Sequence, residues 1–233
     1  MTVNVNGVEL YVEKTGQGPP LVMVHGNGED HSIFREAAAV LGACHTCYCP
    51  DSRGHGASTP VTELHYADMA RDAVALMEAL DLRDVTFVGF SDGGIVGLMA
   101  AARCDRIKTL VVCGANLSPR GIKARFRLLF RAAYLVRKDP KTALMLREPD
   151  ISEGELGGIR SRTLVLAGSG DVIRETETRR IAAAVPGAEL KILKGESHGS
   201  YVVGSEKIAW LVLAFEDEYE AGDGPRETGE GSE

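Results

Sequence analysis

One serine stands in a sequence context typical of an activated nucleophile. Ser91 lies in VGFSDGG at residues 88–94, where an apolar run ends and a helical pattern begins. A G-x-S-x-G turn between a buried strand and a helix is so tight that side chains at Gly89 and Gly93 would collide. The turn would lift the serine hydroxyl to a helix N-terminus, where free N–H groups favour developing negative charge. We therefore predict that Ser91 is a nucleophile.

A serine hydroxyl attacks poorly without a base, and the chain offers a histidine and an acid in comparable positions. His198 lies in GESHGS at 195–200 and Asp171 ends LAGSGD at 166–171, and each segment follows an apolar run. Histidine is poised near neutral pH to take the serine proton. Asp171 would fix the imidazole tautomer and stabilise the imidazolium. Glu196 is the rival acid.

Two further loops follow predicted strands. The segment VHGNG at 24–28 can aim a backbone N–H at an oxyanion, so we predict an oxyanion hole made by the N–H groups of Asn27 and Asp92. His25 is interpreted as a support beneath this loop rather than a catalytic group. The charged groups of DSRGHGAS at 51–58 are expected to hydrogen-bond to each other and to the loop backbone.

The elements that must position these loops alternate along the chain. Short β-branched runs predict strands at 3–5, 10–14, 21–24, 46–49, 85–89, 109–113, 163–167 and 189–193. Amphipathic patterns predict helices at 32–41, 66–80, 92–103, 175–185 and 205–215. This alternation predicts an α/β fold with a doubly wound, mostly parallel eight-stranded sheet. Ligands bind at the carboxyl edge of such sheets.

Residues 116–156 interrupt the alternation and are expected to form a short helical cap, with helices at 120–138 and 139–147. The cap would cover the carboxyl edge of the sheet. Phe126 and Phe130, with Arg125 near the edge of the apolar face, are candidate substrate-pocket residues. The predicted apolar face comprises Ile122, Phe126, Leu129, Phe130, Ala133 and Val136, opposite Arg120, Lys123, Arg127 and Arg131.

The cap is strongly basic. Residues 120–147 hold nine basic residues and one acidic residue. The simplest interpretation places these charges in water. An alternative is that they recruit an anionic substrate, a lipid surface or the acidic end of the same chain.

The net charge of −7 over 233 residues comes from one end of the chain. Residues 216–233 contain eight acidic residues and one basic residue, and the remainder is balanced at 25 of each. We expect a core domain of residues 1–115 and 157–215, the cap at 116–156, and an acidic, disordered tail at 216–233. No apolar run approaches the roughly 20 residues that span a bilayer, and no signal peptide is apparent, so a cytoplasmic location is expected.

Five cysteines without a secretion signal favour free thiols. Cys104 and Cys113 lie in no nucleophile turn, and the cluster of Cys44, Cys47 and Cys49 lacks a second pair at ligand spacing. We predict no cofactor and no metal. A small-molecule substrate is expected, without nucleic acid or stable membrane association, and the oligomeric state is left open.

The segments HGNG, DSRGHGAS, GFSDGG, GSGD and ESHGS resemble the α/β-hydrolase superfamily in order and spacing, from about residue 8 to 215. The resemblance implies that fold and a Ser91–Asp171–His198 triad, in the chain order of the superfamily. The Ser-Asp-Gly-Gly elbow is similar to small esterases that include amino-acid ester (valacyclovir-type) hydrolases. The cap is shorter than that of many relatives, which leaves pocket size and shape open.

The expected activity is hydrolysis of a small carboxylic ester or thioester through an acyl-enzyme. Two alternatives stay open: a C–C bond hydrolase or lyase that uses the same triad, and a small-molecule receptor with low turnover. The Asp92 side chain also has two interpretations. The favoured one is that it caps the following helix. The other is that it faces the pocket and holds a cationic substrate group, such as an α-ammonium.

Overall fold

Eight strands form one sheet in the computed structural model, which describes residues 1–222 and side chains as far as residue 218. Hydrogen bonds join them in the order β1-β2-β4-β3-β5-β6-β7-β8; β1 and β2 pair antiparallel, as do β2 and β4, and all other pairs are parallel. The predicted mostly parallel, eight-stranded α/β sheet is confirmed. Its strands are β1 (Thr2–Val5), β2 (Val8–Gly16), β3 (Pro20–Val24), β4 (Thr46–Pro50), β5 (Val85–Phe90), β6 (Ile107–Cys113), β7 (Arg162–Gly168) and β8 (Glu189–Leu193).

Helices cover both faces of the sheet. Residues of α1 and α8 pack into the apolar cluster on one face, and residues of α2, α3 and α7 pack into the cluster on the other. The helices are α1 (Arg35–Leu41), α2 (Tyr66–Ala79), α3 (Asp92–Ala101), α4 (Ala124–Arg137), α5 (Pro140–Arg147), α6 (Glu153–Leu156), α7 (Glu175–Ala184) and α8 (Lys207–Gly222).

The central strands are apolar because both of their faces are covered. All six residues of β5 are buried, as are the last six of β7, and strands of this kind are typical of doubly wound sheets. Their parallel arrangement sends the chain out of β3, β5, β6 and β7 at the same edge. The loops predicted to carry the chemistry therefore start side by side.

The acidic end of the chain is helical for longer than expected. The predicted helix at 205–215 continues as α8 to Gly222, into the first residues of the segment expected to be disordered. Glu216 helps to hold this extension, because its carboxylate accepts a hydrogen bond from Thr86 at 2.6 Å and lies 3.2 Å from His45. Residues 223–233 lie outside the described part of the chain.

The cap also departs from prediction at its start. The single helix expected at 120–138 is replaced by a short 3₁₀ turn at Pro119–Gly121, an extended pair of residues, and then α4. Ile122 is buried and forms an isolated antiparallel bridge with Ile173, so it lies before the helix rather than on its apolar face. The backbone pairing of Ile122 with the loop after β7 outweighs the helical pattern of the sequence at this position. The short helix α6 was not predicted.

Candidate active site

Ser91 lies at the sharp turn between β5 and α3. Its backbone has a φ of 53° and a ψ of −112°, a conformation that costs energy for a residue other than glycine and is frequent at functional sites. The neighbouring glycines are required by space. A Cβ at Gly89 would lie 2.2 Å from the carbonyl oxygen of Gly93, and one at Gly93 would lie 2.0 Å from that of Val24. The predicted collision of side chains at this elbow is confirmed.

The three residues predicted as nucleophile, base and acid form one chain of hydrogen bonds. Ser91 Oγ lies 3.0 Å from His198 Nε2, and His198 Nδ1 lies 2.7 Å from Asp171 Oδ1. Asp171 is buried, and the same oxygen accepts a hydrogen bond from the N–H of Ile173 at 2.8 Å. The ammonium group of Lys123, at the start of the cap, donates to the carbonyl oxygen of Asp171. The acid is thus held in place from two sides.

The rival acid Glu196 is engaged elsewhere. Its carboxylate accepts hydrogen bonds from Lys207 at 2.6 Å and from Ser200 at 2.5 Å. These hydrogen bonds lower the pKa of Glu196, and the one from Lys207 has the larger effect. It therefore serves as a partner for an exposed lysine, whereas Asp171 is the carboxylate bonded to His198.

The cysteines are poor nucleophiles in this setting. All five are free. Burial raises the pKa of the Cys113 thiol, and it raises that of Cys47, in β4, to about 12. Since the thiolate is the reactive and metal-binding form, these buried thiols are suited to packing rather than to attack on a substrate.

Gly114 makes room for the imidazole ring of His198. This residue directly follows β6 and has a φ of 63°. A Cβ there would lie 2.8 Å from His198 Cε1. On another side, the ring of Phe90 lies 5.0 Å from the His198 ring, centroid to centroid. The sequence analysis missed Gly114, although a glycine directly after a buried strand was the available signal.

Asn27 and Asp92, the predicted oxyanion-hole residues, both line the cavity at Ser91. The N–H of Asp92 is the first of α3 and has no acceptor within the helix. The loop after β3 is held by Glu29, whose Oε2 accepts from the Gly26 N–H at 3.0 Å. The side chain of Asn27 donates to Asp92 Oδ2 at 2.9 Å and to the carbonyl oxygen of Lys141, in α5, at 3.0 Å.

The Asp92 side chain does not cap α3, so the favoured interpretation of this residue is wrong. Ser91 occupies the N-cap position, and no side chain caps that helix end. Asp92 instead turns into the site, where it accepts from Tyr66 Oη at 2.8 Å as well as from Asn27. Burial raises the pKa of the Asp92 carboxyl, and the hydrogen bonds from Asn27 and Tyr66 offset part of that rise.

A cavity of about 360 Å³ opens above Ser91 and His198. Of the three residues predicted for the substrate pocket, Phe130 lines it, while Phe126 and Arg125 do not. Arg125 is exposed and lies over the ring of Phe126, 4.7 Å from its centroid. The predicted apolar face was wrong, because Ile122 lies before the helix and because Leu129, Ala133 and Val136 are exposed. Ile122 lines the cavity itself, and α4 contributes Phe130 one turn beyond Phe126.

Comparison with known proteins places this site in a family. Residues 19–137, just over half of the chain, match the profile of the α/β hydrolase fold family. The chain belongs to the α/β hydrolase family. The match includes the elbow at Ser91, whereas the loops that carry Asp171 and His198 lie beyond it.

The relatives and structural neighbours of this chain carry varied names. The human protein named serine hydrolase BPHL is 37% identical over 123 residues, which cover 49% of this chain and 42% of that protein. The non-heme chloroperoxidase CPO-A1 of Kitasatospora aureofaciens is 26% identical over 87% of this chain and 93% of its own length. An esterase from Exiguobacterium antarcticum superposes with a TM-score of 0.79 at 22% identity, covering 91% of this chain and 96% of that one.

In this α/β hydrolase the two remaining polar loops are structural, as predicted. The ring of His25 is buried and accepts a hydrogen bond from the N–H of Ser52 at 3.0 Å. Burial lowers the pKa of His25, which favours the neutral ring. Asp51 accepts hydrogen bonds from the N–H of His31 at 2.7 Å and from that of Ala57 at 2.8 Å. These bonds fix the loops that flank the site.

Among the cavity residues that sequence analysis missed, three have ionisable side chains: Glu29, Tyr66 and Glu148. Glu29 lies two residues after Asn27 in a loop already suspected, which was a usable signal. Tyr66 begins α2, and its N–H donates to Glu148, after α5, at 3.0 Å. Tyr66 and Glu148 are 82 residues apart in the sequence, and no local sequence pattern predicts their contact. With Asp92, the described lining contains three carboxylates and no lysine or arginine.

Proposed function

We propose that this protein is a serine hydrolase that cleaves a small carboxylic ester or thioester through an acyl-enzyme. The observation that carries the proposal is the chain of hydrogen bonds from Ser91 through His198 to Asp171 at the base of the cavity. A nucleophile within hydrogen-bond reach of a base that a third group orients is the arrangement that activates a serine. The named relatives support hydrolysis as the reaction class.

In the first half of the reaction, Ser91 Oγ attacks the carbonyl carbon of the substrate while His198 Nε2 takes the hydroxyl proton. Asp171 keeps the proton of the neutral imidazole on Nδ1 and stabilises the imidazolium that forms. The carbonyl oxygen becomes an oxyanion, which the N–H groups of Asn27 and Asp92 would bind. Collapse of this intermediate breaks the ester bond, and His198 returns the proton to the leaving alcohol or thiol.

In the second half, a water molecule takes the place of the leaving group. His198 removes one of its protons as its oxygen attacks the acyl carbon. The second intermediate collapses with the same proton returned to Ser91 Oγ. The products are a carboxylic acid and the free enzyme, so the catalytic groups end in their starting states.

The charge of the cavity favours substrates with a cationic group. Glu29, Asp92 and Glu148 place three carboxylates in the described lining. Asn27 and Tyr66 already donate hydrogen bonds to the Asp92 carboxylate. Its negative charge would have a further role if a cationic group of the substrate approached it. Esters that carry an ammonium group near the acyl carbon are therefore the proposed substrate class.

The proposal is tested by activity toward p-nitrophenyl acetate and by labelling with a fluorophosphonate probe. Ser91→Ala should lower kcat by about a million-fold, as loss of a nucleophile does elsewhere, and should abolish labelling. Ser197→Ala, at an exposed serine beside His198, is the matched control and should keep both.

Three outcomes would count against the proposal. A folded Ser91→Ala protein with near-normal turnover would remove Ser91 from the reaction. A wild-type protein that binds ligands but turns over no ester would favour the receptor. Cleavage of a C–C bond substrate without ester turnover would assign the same three residues to the alternative reaction.

A further inference from the structure

The outer side of α4 exposes large apolar side chains. No residue of this helix is buried, and none belongs to either apolar cluster of the sheet. The exposed fractions are 70% for Leu128, 61% for Leu129, 77% for Leu135 and 84% for Val136. Exposed apolar patches of this kind mark surfaces that bind something.

These side chains share one face of the helix. At 100° per residue, the exposed apolar positions fall within about 120° of one side. The half-buried aromatic residues fall on the other side, which faces the cavity and the rest of the cap. The outer set is Leu128, Leu129, Ala132, Leu135 and Val136, and the inner set is Phe126, Phe130 and Tyr134.

The same helix is cationic. Residues 123–138 contain six basic residues and no acidic one. Within the described part of the chain, none of the six forms an ion pair with a carboxylate. They are Lys123, Arg125, Arg127, Arg131, Arg137 and Lys138.

We infer that the outer face of α4 binds the surface of an anionic lipid bilayer. An amphipathic helix with leucines on one face and surrounding arginines lies in the plane of such a surface, with apolar side chains among the acyl chains and cations at the phosphates. A helix of 14 residues presents a strip about 21 Å long. The association is peripheral, because none of the described helices combines the length and apolar character needed to cross a bilayer.

Two other occupants fit this face less well. A second copy of the chain would bring the arginines of one α4 against those of another, and like charges oppose that contact. The acidic residues 223–233 could pair with the cations, but their sequence DGPRETGEGSE has no large apolar side chain to cover the leucines. An anionic bilayer matches both the apolar and the cationic character.

The position of α4 suggests why its outer face would bind a bilayer. Phe130, on the inner side of the helix, lines the cavity. A bilayer bound to the outer side would therefore lie one helix diameter from the site, about 10 Å. An apolar substrate dissolved in the bilayer would have a short path to Ser91. The binding itself does not depend on the proposed hydrolysis.

Binding is measured by co-sedimentation of the full chain with phosphatidylcholine vesicles, with and without about one third phosphatidylglycerol. The wild-type chain should sediment with the anionic vesicles and much less with the neutral ones, and added salt should weaken the binding. Ser91→Ala should bind equally well, so failure of the proposed function and failure of this inference are separable.

Variants locate the bound surface. The double substitution Leu128→Ser/Leu135→Ser should weaken binding by on the order of 10- to 100-fold. Trp210→Ser is the matched control, since Trp210 is 57% exposed but lies on α8. Arg131→Glu should weaken binding by at least about fivefold, whereas Lys194→Glu, at an exposed lysine after β8, should have little effect.

A fluorescence measurement checks whether the outer face of α4 inserts into the bilayer. Trp210 is the one tryptophan in the sequence, and its emission should not change with vesicles. In a Leu135→Trp/Trp210→Phe variant the emission should shift to the blue. Equal binding of the double leucine variant and the wild-type chain would overturn the inference. So would a concentration-dependent dimer that the leucine substitutions dissociate, because the occupant would then be a second copy.

Discussion

The two walls of the cavity are held in different ways. On the sheet side, Ser91, Asp171 and His198 lie in loops directly after parallel strands, and hydrogen bonds of 2.7 to 3.0 Å join them. On the cap side, α4 contributes Phe130 but buries none of its residues. The proposed chemistry thus rests on the sheet side of the cavity, which we call the rigid wall. The part of the cavity that Phe130 lines rests on a helix that the core holds weakly.

The cap is not uniform in this respect. Leu117 before α4, and Leu144 in α5 and Leu156 in α6 after it, are buried and belong to the core cluster of one sheet face. The ends of the cap are therefore anchored, and the weak attachment is confined to α4 between them. Local stability follows the number of buried apolar contacts, so α4 is the element expected to open first.

The largest effect should come from the rigid wall. Asp171→Asn should lower kcat by on the order of 10⁴-fold, because the amide would favour the wrong tautomer of His198. Glu196→Gln is the control and should change kcat little, since Glu196 binds Lys207 and Ser200. Steady-state kinetics with a p-nitrophenyl ester measure both. If Glu196→Gln were the more damaging change, the acid would be misassigned.

The next largest effect should be on the free energy of unfolding, which should fall more for a change in the rigid wall than for one in α4. Phe87→Ala, in the fully buried core of β5, should lower the free energy of unfolding by about 3–5 kcal/mol. Phe130→Ala removes a half-buried ring of α4 and should cost about 1 kcal/mol. Urea denaturation of the two variants checks the difference. Equal losses would show that α4 is as firmly packed as the sheet.

The smallest effect concerns the charge of Asp92. Asp92→Asn should weaken kcat/KM for an aminoacyl ester by about 1–3 kcal/mol more than for a neutral ester of similar size. The carboxylate that turns into the cavity would otherwise pair with the ammonium group. Tyr66→Phe is the matched control, because it removes a hydrogen bond to Asp92 but keeps the charge. Parallel losses on both esters in Asp92→Asn would exclude an ammonium site.

The sequence predicted the rigid wall well because its signals are local. Each strand is a short apolar run, and each functional loop begins where such a run ends, so Ser91, Asp171 and His198 could be placed on one edge. Gly89 and Gly93 predicted the tight turn at Ser91, because a side chain at either position would collide with the backbone in any chain. The eight strands and the α/β class follow from the same alternation.

The cap was predicted less well because its arrangement depends on distant partners. Ile122 pairs with Ile173, and this contact shifts the start of α4. Leu129 and Val136, which were expected on the pocket side, are 61% and 84% exposed. A helical wheel also assumes one apolar face per helix, whereas α4 has apolar residues on two sides.

The side chain of Asn27 joins the two walls. Its amide nitrogen donates at once to Asp92, beside the nucleophile, and to the carbonyl oxygen of Lys141 in α5. A movement of α5 away from the sheet would break the second of these bonds and release the residue whose backbone N–H is proposed to bind the oxyanion. Under the proposed function, the position of α5 and the stabilisation of the oxyanion would be linked equilibria, so a state with α5 displaced would hold the Asn27 N–H less firmly.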